Sequence, residues 1–226
     1  MKITFYGHAC FSIEIKEKHI LFDPFISGNE LASNIDIDSI QADYILLSHG
    51  HQDHVLDVPA IAKRTGAKIV SNFEIVSWYG GQGLTNSHPM NHGGSWTFDF
   101  GTVKYVNAIH SSVLPDGTYG GNPGGFVIES EEGNFYYSGD TALTYDMKLI
   151  NDSHDLDFAI LCLGDNFTMG YKDACTAADF VGVNRVVGMH FDTFGYIKVE
   201  HEEVEDYFAR NSKILKLPAI GETFEM

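Results

Sequence analysis

Leu47-Ser48-His49-Gly50-His51-Gln52-Asp53-His54 follows directly on a short apolar run, Tyr44-Ile45-Leu46. The run 44–48 reads as a buried strand, and His49, His51, Asp53 and His54 crowd the chain as it leaves that strand. Ligand spacings of two residues are too short for one face of a helix, where neighbours stand three or four apart. They suit a loop leaving a strand end, whose side chains converge on a pocket. Imidazole and carboxylate together are donors for Zn²⁺, Fe²⁺ or Mn²⁺. Four such groups in so short a stretch point to two ions rather than one, and both need further ligands from elsewhere.

Working outward, three more segments follow the same order of apolar strand, ligand, then small or polar loop. They are Val106-Asn107-Ala108-Ile109-His110-Ser111-Ser112, Phe135-Tyr136-Tyr137-Ser138-Gly139-Asp140-Thr141 and Val186-Val187-Gly188-Met189-His190-Phe191-Asp192. Strands that run the same way in a sheet deliver their ends to one edge, so these segments are expected at a common cleft. Patterning predicts further strands at 2–6, 11–15, 19–22, 96–100, 103–109, 124–129, 134–138, 157–163, 185–189 and 213–217. Helices are predicted at 57–65, 72–79, 142–151, 173–181 and 200–210, with Asp57 as the N-cap of the first and Gly66 ending it. Strands first and helices alternating later predict an α/β or α+β fold, two sheets with helices outside, in one domain over 1–226.

The chain has 226 residues, 44% of them hydrophobic, so it can bury a core without a disulfide or a structural metal. With 14 Lys and Arg against 31 Asp and Glu, its net charge of −17 excludes the basic surface that nucleic acid or an anionic membrane would require. Three cysteines, Cys10, Cys162 and Cys175, without C-x-x-C spacing exclude a disulfide framework and a thiolate zinc site. The opening segment alternates polar and apolar residues and lacks the apolar stretch of a signal peptide, so a cytoplasmic location is expected.

The ordered set of His-x-His-x-Asp-His at 49–54, His110, Ser-Gly-Asp-Thr at 138–141 and His190 resembles the metallo-β-lactamase superfamily. The matches run from Asp23 to His190. The resemblance implies a four-layer αββα sandwich. It implies that His49, His51 and His110 hold one metal, that Asp53, His54 and His190 hold a second, and that Asp140 bridges them. Asp23, in Leu21-Phe22-Asp23-Pro24, matches the acidic position that supports the ligands from behind. The pieces at 7–11, 90–94 and 164–170 are similar to a branch of small metal-dependent hydrolases related to the ascorbate-6-phosphate lactonases.

The chemistry expected is hydrolysis of an ester, lactone, amide or phosphoester by a hydroxide on a dinuclear centre, with Asp53 orienting the nucleophile and relaying its proton. A bound divalent metal brings the pKa of water down to about 7, and zinc leads Mn²⁺, Fe²⁺ and Ni²⁺ among the candidates. The expected partner is a small molecule, an anionic one included, and self-association is left open. His8, His92, Asp165 and Thr168 are candidate substrate contacts, each weighed against a turn, cap or loop-stabilising role. Isolated histidines such as His19, His88, His154 and His201 read as surface or capping residues. The glycines of 120–125 lack the Lys-Ser/Thr of a phosphate loop and leave a flap beside the metals as the alternative. Rival readings are a metal sensor or chaperone without catalysis, a di-iron redox enzyme and a nuclease. His51 stands where the redox members of the superfamily carry a carboxylate, and the net charge argues against the nuclease.

Overall fold

Ile20, Leu21 and Phe22 show how the chain builds its layers. Consecutive strand residues face opposite sides of a sheet, and here Ile20 and Phe22 enter one apolar cluster while Leu21 enters another. The same split separates Leu46 from Ile45 and Leu47, and Val70 from Ile69. Both faces of these strands are therefore buried, which is why they read as continuous apolar runs rather than alternating ones.

The computed structural model describes residues 1–226. The strands are β1 (Lys2–Gly7), β2 (Cys10–Ile15), β3 (Lys18–Phe22), β4 (Tyr44–Leu46), β5 (Lys68–Asn72), β6 (Ser87–Met90), β7 (Ser95–Thr97), β8 (Thr102–Asn107), β9 (Gly124–Ser130), β10 (Gly133–Tyr137), β11 (Phe158–Cys162), β12 (Arg185–Met189), β13 (Ile214–Lys216) and β14 (Thr223–Glu225). They form two mixed sheets, ordered β14-β1-β2-β3-β4-β5-β6 and β13-β12-β11-β10-β9-β8-β7. Within the first, β3 to β6 pair in parallel; within the second, β10 to β13 do. The sheets pack face to face through aromatic contacts, with Phe22 edge-on to Tyr137 at 5.3 Å and to Phe126 at 6.4 Å. Burial of one such ring stabilises the fold by about 1.5–3 kcal/mol.

Helices α1 (Gln52–Val55), α2 (Val58–Thr65) and α3 (Phe73–Gly81) belong to the first half, and α4 (Met147–Asn151), α5 (Tyr171–Phe180) and α6 (His201–Arg210) to the second. Val58, Ile61, Ile75 and Tyr79 pack with Leu21, Ile45 and Ile69 on the outer face of the first sheet. Ala174, Ala177, Ala178, Val204 and Phe208 are buried with the strands of the second. The result is the expected sandwich of helices, sheet, sheet and helices.

Several local expectations change. Asp57 stands at the N-cap position of α2 but makes no cap bond. Its buried carboxylate accepts from Ile26 N at 2.6 Å, Ser27 N at 2.9 Å and the Ser27 hydroxyl, tying down the chain after β3. Helix α4 begins only at Met147, because residues 141–142 are committed to the His110 segment: Ile109 N donates to Thr141 Oγ1 and Ala142 N to Ile109 O, both at 3.0 Å. The strand expected over 96–100 stops at Thr97, where Phe98 and Gly101 close a turn. Residues 52–55, read as loop, form one helical turn. Strands β5, β6 and β14 were not anticipated; β6 contains Pro89, tolerated because the strand lies at a sheet edge.

Candidate metal centre

The parallel arrangement delivers chemistry to one end of the sandwich. Asp23 follows β3, His49 follows β4, Asp140 follows β10 and His190 follows β12. His8, Asp23 and His190 each turn the chain in the left-handed region, at φ 56°, 40° and 57°. Non-glycine residues hold that conformation at a cost and cluster at functional sites. Gly139, at φ +57°, is required for a second reason: a Cβ there would lie 2.7 Å from Ser48 Cβ and from Gly124 O. Its absence lets Asp140 close onto the loop after β4.

One buried oxygen organises the centre. Asp140 Oδ2 lies 2.9 Å from His190 Nε2, 3.3 Å from His54 Nε2, 3.6 Å from His110 Nε2 and 4.0 Å from His49 Nε2. Around it, donor atoms of His49, His51 and His110 lie within 4.8 Å of one another, as do those of His8, Asp53, His54 and His190. The structure thus brings the seven sequence candidates together and adds His8 to the second group. His54 Nε2, His190 Nδ1 and Asp140 Oδ1 are buried without a hydrogen-bond partner. Such orphaned atoms are costly unless something else satisfies them. Imidazole and carboxylate donors of this geometry fit divalent transition-metal ions.

Asp23 sets the orientation of the buried ligands. It accepts from His54 Nδ1 at 2.8 Å, Ser48 N at 2.8 Å, Ser48 Oγ at 2.5 Å and Tyr137 Oη at 2.5 Å. With the Ser48 hydroxyl turned to Asp23, its oxygen accepts from His49 Nδ1 at 2.9 Å. Both imidazoles therefore carry a proton on Nδ1; His54 Nε2 then faces Asp140 at 3.3 Å, and His49 Nε2 lies 3.0 Å from His51 Nδ1 and 4.0 Å from Asp140.

The charges follow. Burial, with His54 alongside, pushes His49 well below the ordinary histidine value. Burial and His190 push His8 down to about 4. Burial alone would lower His54, yet Asp140 and Asp23 hold it well above its ordinary value. Burial would raise Asp140 and Asp53, but the imidazoles of His190 and His54 hold the first, and those of His8 and His54 the second, well below the carboxylate range. Ionised carboxylates and a neutral His49 are the ligating forms; a metal at His54 Nε2 displaces a proton.

Asp53 stands at the wall of a cleft of about 980 Å³ with His51, His110, Asp140 and His190. Its Oδ2 accepts from His8 Nε2 at 3.1 Å, and His8 Nδ1 meets Thr193 Oγ1 at 3.0 Å. The remaining candidates are not brought into this cleft. His92 lies tilted against Tyr105, with ring centroids 4.8 Å apart, and its Nε2 donates to Pro123 O at 2.8 Å. Asp165 lines a neighbouring depression with Tyr171 and Lys198, and Thr168 Oγ1 donates to Met169 O at 3.2 Å. Residues 120–125 are held from beneath, with Asn72 Nδ2 donating to Gly120 O at 2.8 Å and Gly124 N to Ser48 O at 3.0 Å. None of the six lines the cleft.

Sequence reasoning missed Leu31, Glu30, Phe167, Thr193, Phe194 and Tyr196, all of which line the cleft. The last three follow His190 in the same loop, a signal that was available. Glu30 and Leu31 sit in a single 3-10 turn, Glu30–Ala32, in the connection between β3 and β4, too short to leave a periodic signal in the sequence.

The profile of the "Beta-lactamase superfamily domain" matches residues 2–190. The chain is 63% identical to a "UPF0173 metal-dependent hydrolase" of Flavobacterium johnsoniae, over the full length of both. It is 42% identical to the protein of that description from Bacillus subtilis, again over the full length of both. Among solved structures, "Igni18, a novel metallo hydrolase" from Ignicoccus hospitalis superposes with a TM-score of 0.89 at 29% identity, covering all of this chain and 98% of that one. Strand order, ligand geometry and these likenesses agree, and the chain belongs to the β-lactamase superfamily, among its UPF0173 metal-dependent hydrolases.

Proposed function

We propose that the chain hydrolyses an ester, lactone, amide or phosphoester bond of a small molecule with two divalent cations, zinc first among them. The observation that carries this reading is the single Asp140 oxygen facing four imidazole nitrogens between two ligand clusters. His49, His51 and His110 would hold one ion, Asp53, His54 and His190 the other, with Asp140 between them. Bound there, the ions supply Lewis acidity and bring the pKa of water to about 7.

The protein's own groups do the rest. His8 fixes one oxygen of Asp53, and Thr193 fixes His8, so the carboxylate has a set orientation, and its second oxygen, which makes no hydrogen bond within the protein, is left for the ion and its water. Ionised at neutral pH, that oxygen takes a proton from an incoming water and returns it to the leaving group. His51 and His110 are partly exposed beside it, so the reacting bond is reached from the cleft. A cytoplasmic enzyme is proposed, with neither nucleic acid nor membrane as partner; the net charge of −17 supports this, and no helix is long and apolar enough to cross a membrane.

The test strips the full chain with a chelator, restores Zn²⁺, Mn²⁺, Fe²⁺ or Ni²⁺ in turn, and measures ions per chain beside turnover of generic esters, lactones, amides and phosphoesters. Two ions per chain and turnover that follows them are expected. Two ions without turnover of any substrate favour the non-catalytic sensor, and a single ion overturns the dinuclear assignment.

A further inference from the structure

The remainder of the cleft lining has a chemistry that the metal centre does not require. Leu31, Phe167 and Tyr196 are exposed to 54%, 49% and 78%, and they come from three separate loops. Phe167 and Tyr196 meet edge-on, with ring centroids 6.1 Å apart. Phe194 stands deeper, 5.2 Å from the His8 ring and 6.4 Å from Phe25. Large apolar side chains left in water and converging on one concavity mark a surface that is covered by a ligand. Neither Lys nor Arg lines the cleft, and apart from the candidate ligand carboxylates its one charged side chain is Glu30.

Resting on the hydrolytic reading above, we infer that the substrate is an uncharged acyl compound, a carboxylic ester or lactone, whose aliphatic or aromatic body seats against Leu31, Phe167, Phe194 and Tyr196. The cations would attract any anion to the reacting end, so discrimination falls to the wall that holds the remainder. A carboxylate or phosphate there would lose its water without gaining a counter-charge and would face Glu30, a combination that disfavours binding. An apolar body loses nothing by the same move and gains the area it covers. In the reaction the oxygen of water bonds to the carbonyl carbon and the acyl–oxygen bond breaks. The proton of water passes to the leaving oxygen, and no co-reactant besides water is needed.

The experiment compares matched substrates on the metal-restored full chain: 4-nitrophenyl acetate to hexanoate, the corresponding ω-carboxylate esters, and bis(4-nitrophenyl) phosphate. For the neutral series kcat/KM is expected to rise about threefold per added methylene. The ω-carboxylate esters should fall at least tenfold below their neutral partners, and the phosphodiester below both. Tyr196→Ala should flatten the chain-length series, and Glu30→Lys should narrow the gap to the ω-carboxylate esters. A second readout needs no turnover: on the metal-stripped full chain, calorimetry should show 2-octanone binding at least tenfold more tightly than octanoate. Preference for anionic esters, or octanoate binding as tightly as the ketone, overturns the inference and leaves the hydrolase intact. Turnover of none of these substrates, with the ketone still bound more tightly, overturns the hydrolytic reading instead.

Discussion

The floor and the rim of the cleft are built by opposite means. On the floor, Asp23, His49, His54, Asp140 and His190 are buried, and Asp23 alone accepts from three side chains and a backbone amide. On the rim, Glu30, Leu31, Phe167 and Tyr196 are exposed; the first two and Tyr196 sit on single 3-10 turns, Glu30–Ala32 and Gly195–Ile197, and Phe167 on a loop. A buried network held by directed hydrogen bonds such as those to Asp23 tolerates little change, because removing one group leaves a buried partner unpaired. A rim in water tolerates much. On the proposed function, the difference separates the part that would perform the reaction from the part that would select what is reacted, and loops on a rigid scaffold are where such selection is placed.

Substitutions graded from floor to rim test that division. Asp140→Ala, at the centre, should release at least one ion and abolish turnover; retention of two ions per chain by elemental analysis would refute its bridging role. Asp53→Asn should lower kcat by about 10²–10⁴-fold while some metal is retained, because the proton acceptor is lost. Asp23→Asn should weaken metal affinity by about 10–100-fold, measured by competition with a chelator, since it touches the ligands from behind rather than the ions. His92→Ala, outside the cleft, should change kcat/KM by less than about threefold, the worth of one ordinary hydrogen bond at a half-buried position. If His92→Ala matched Asp23→Asn, the boundary between floor and periphery would have to be redrawn through residues 120–125.

How much of this was readable in advance varied by element. The ligands stood out because each follows an apolar strand and because the 49–54 cluster is dense enough to recognise. His8 was named only as a candidate substrate contact, since one histidine after β1 carries no spacing signal; the contact with Asp53 across 45 positions reveals its place. His92, Asp165 and Thr168 looked equivalent to His8 in sequence, yet His92 bonds to Pro123 in the 120–125 segment and Asp165 and Thr168 bond within their own loop. The Asp57 side chain read as a cap because capping is local, whereas its bonds to Ile26 and Ser27 span about thirty residues.

By itself the order of residues determined which groups gather at the candidate metal centre, since strand periodicity and a potential ligand placed at each strand end are encoded locally. It determined the layered architecture too, because strands buried on both faces need a cover on each. Only the tertiary structure decided which loop side chains turn toward the cleft, that Asp140 Oδ2 faces four imidazoles, and that Leu31, Phe167, Phe194 and Tyr196 share the cleft with no cationic Lys or Arg side chain. Those outcomes depend on contacts between distant segments whose geometry is fixed when the two sheets pack, and no short-range pattern carries them.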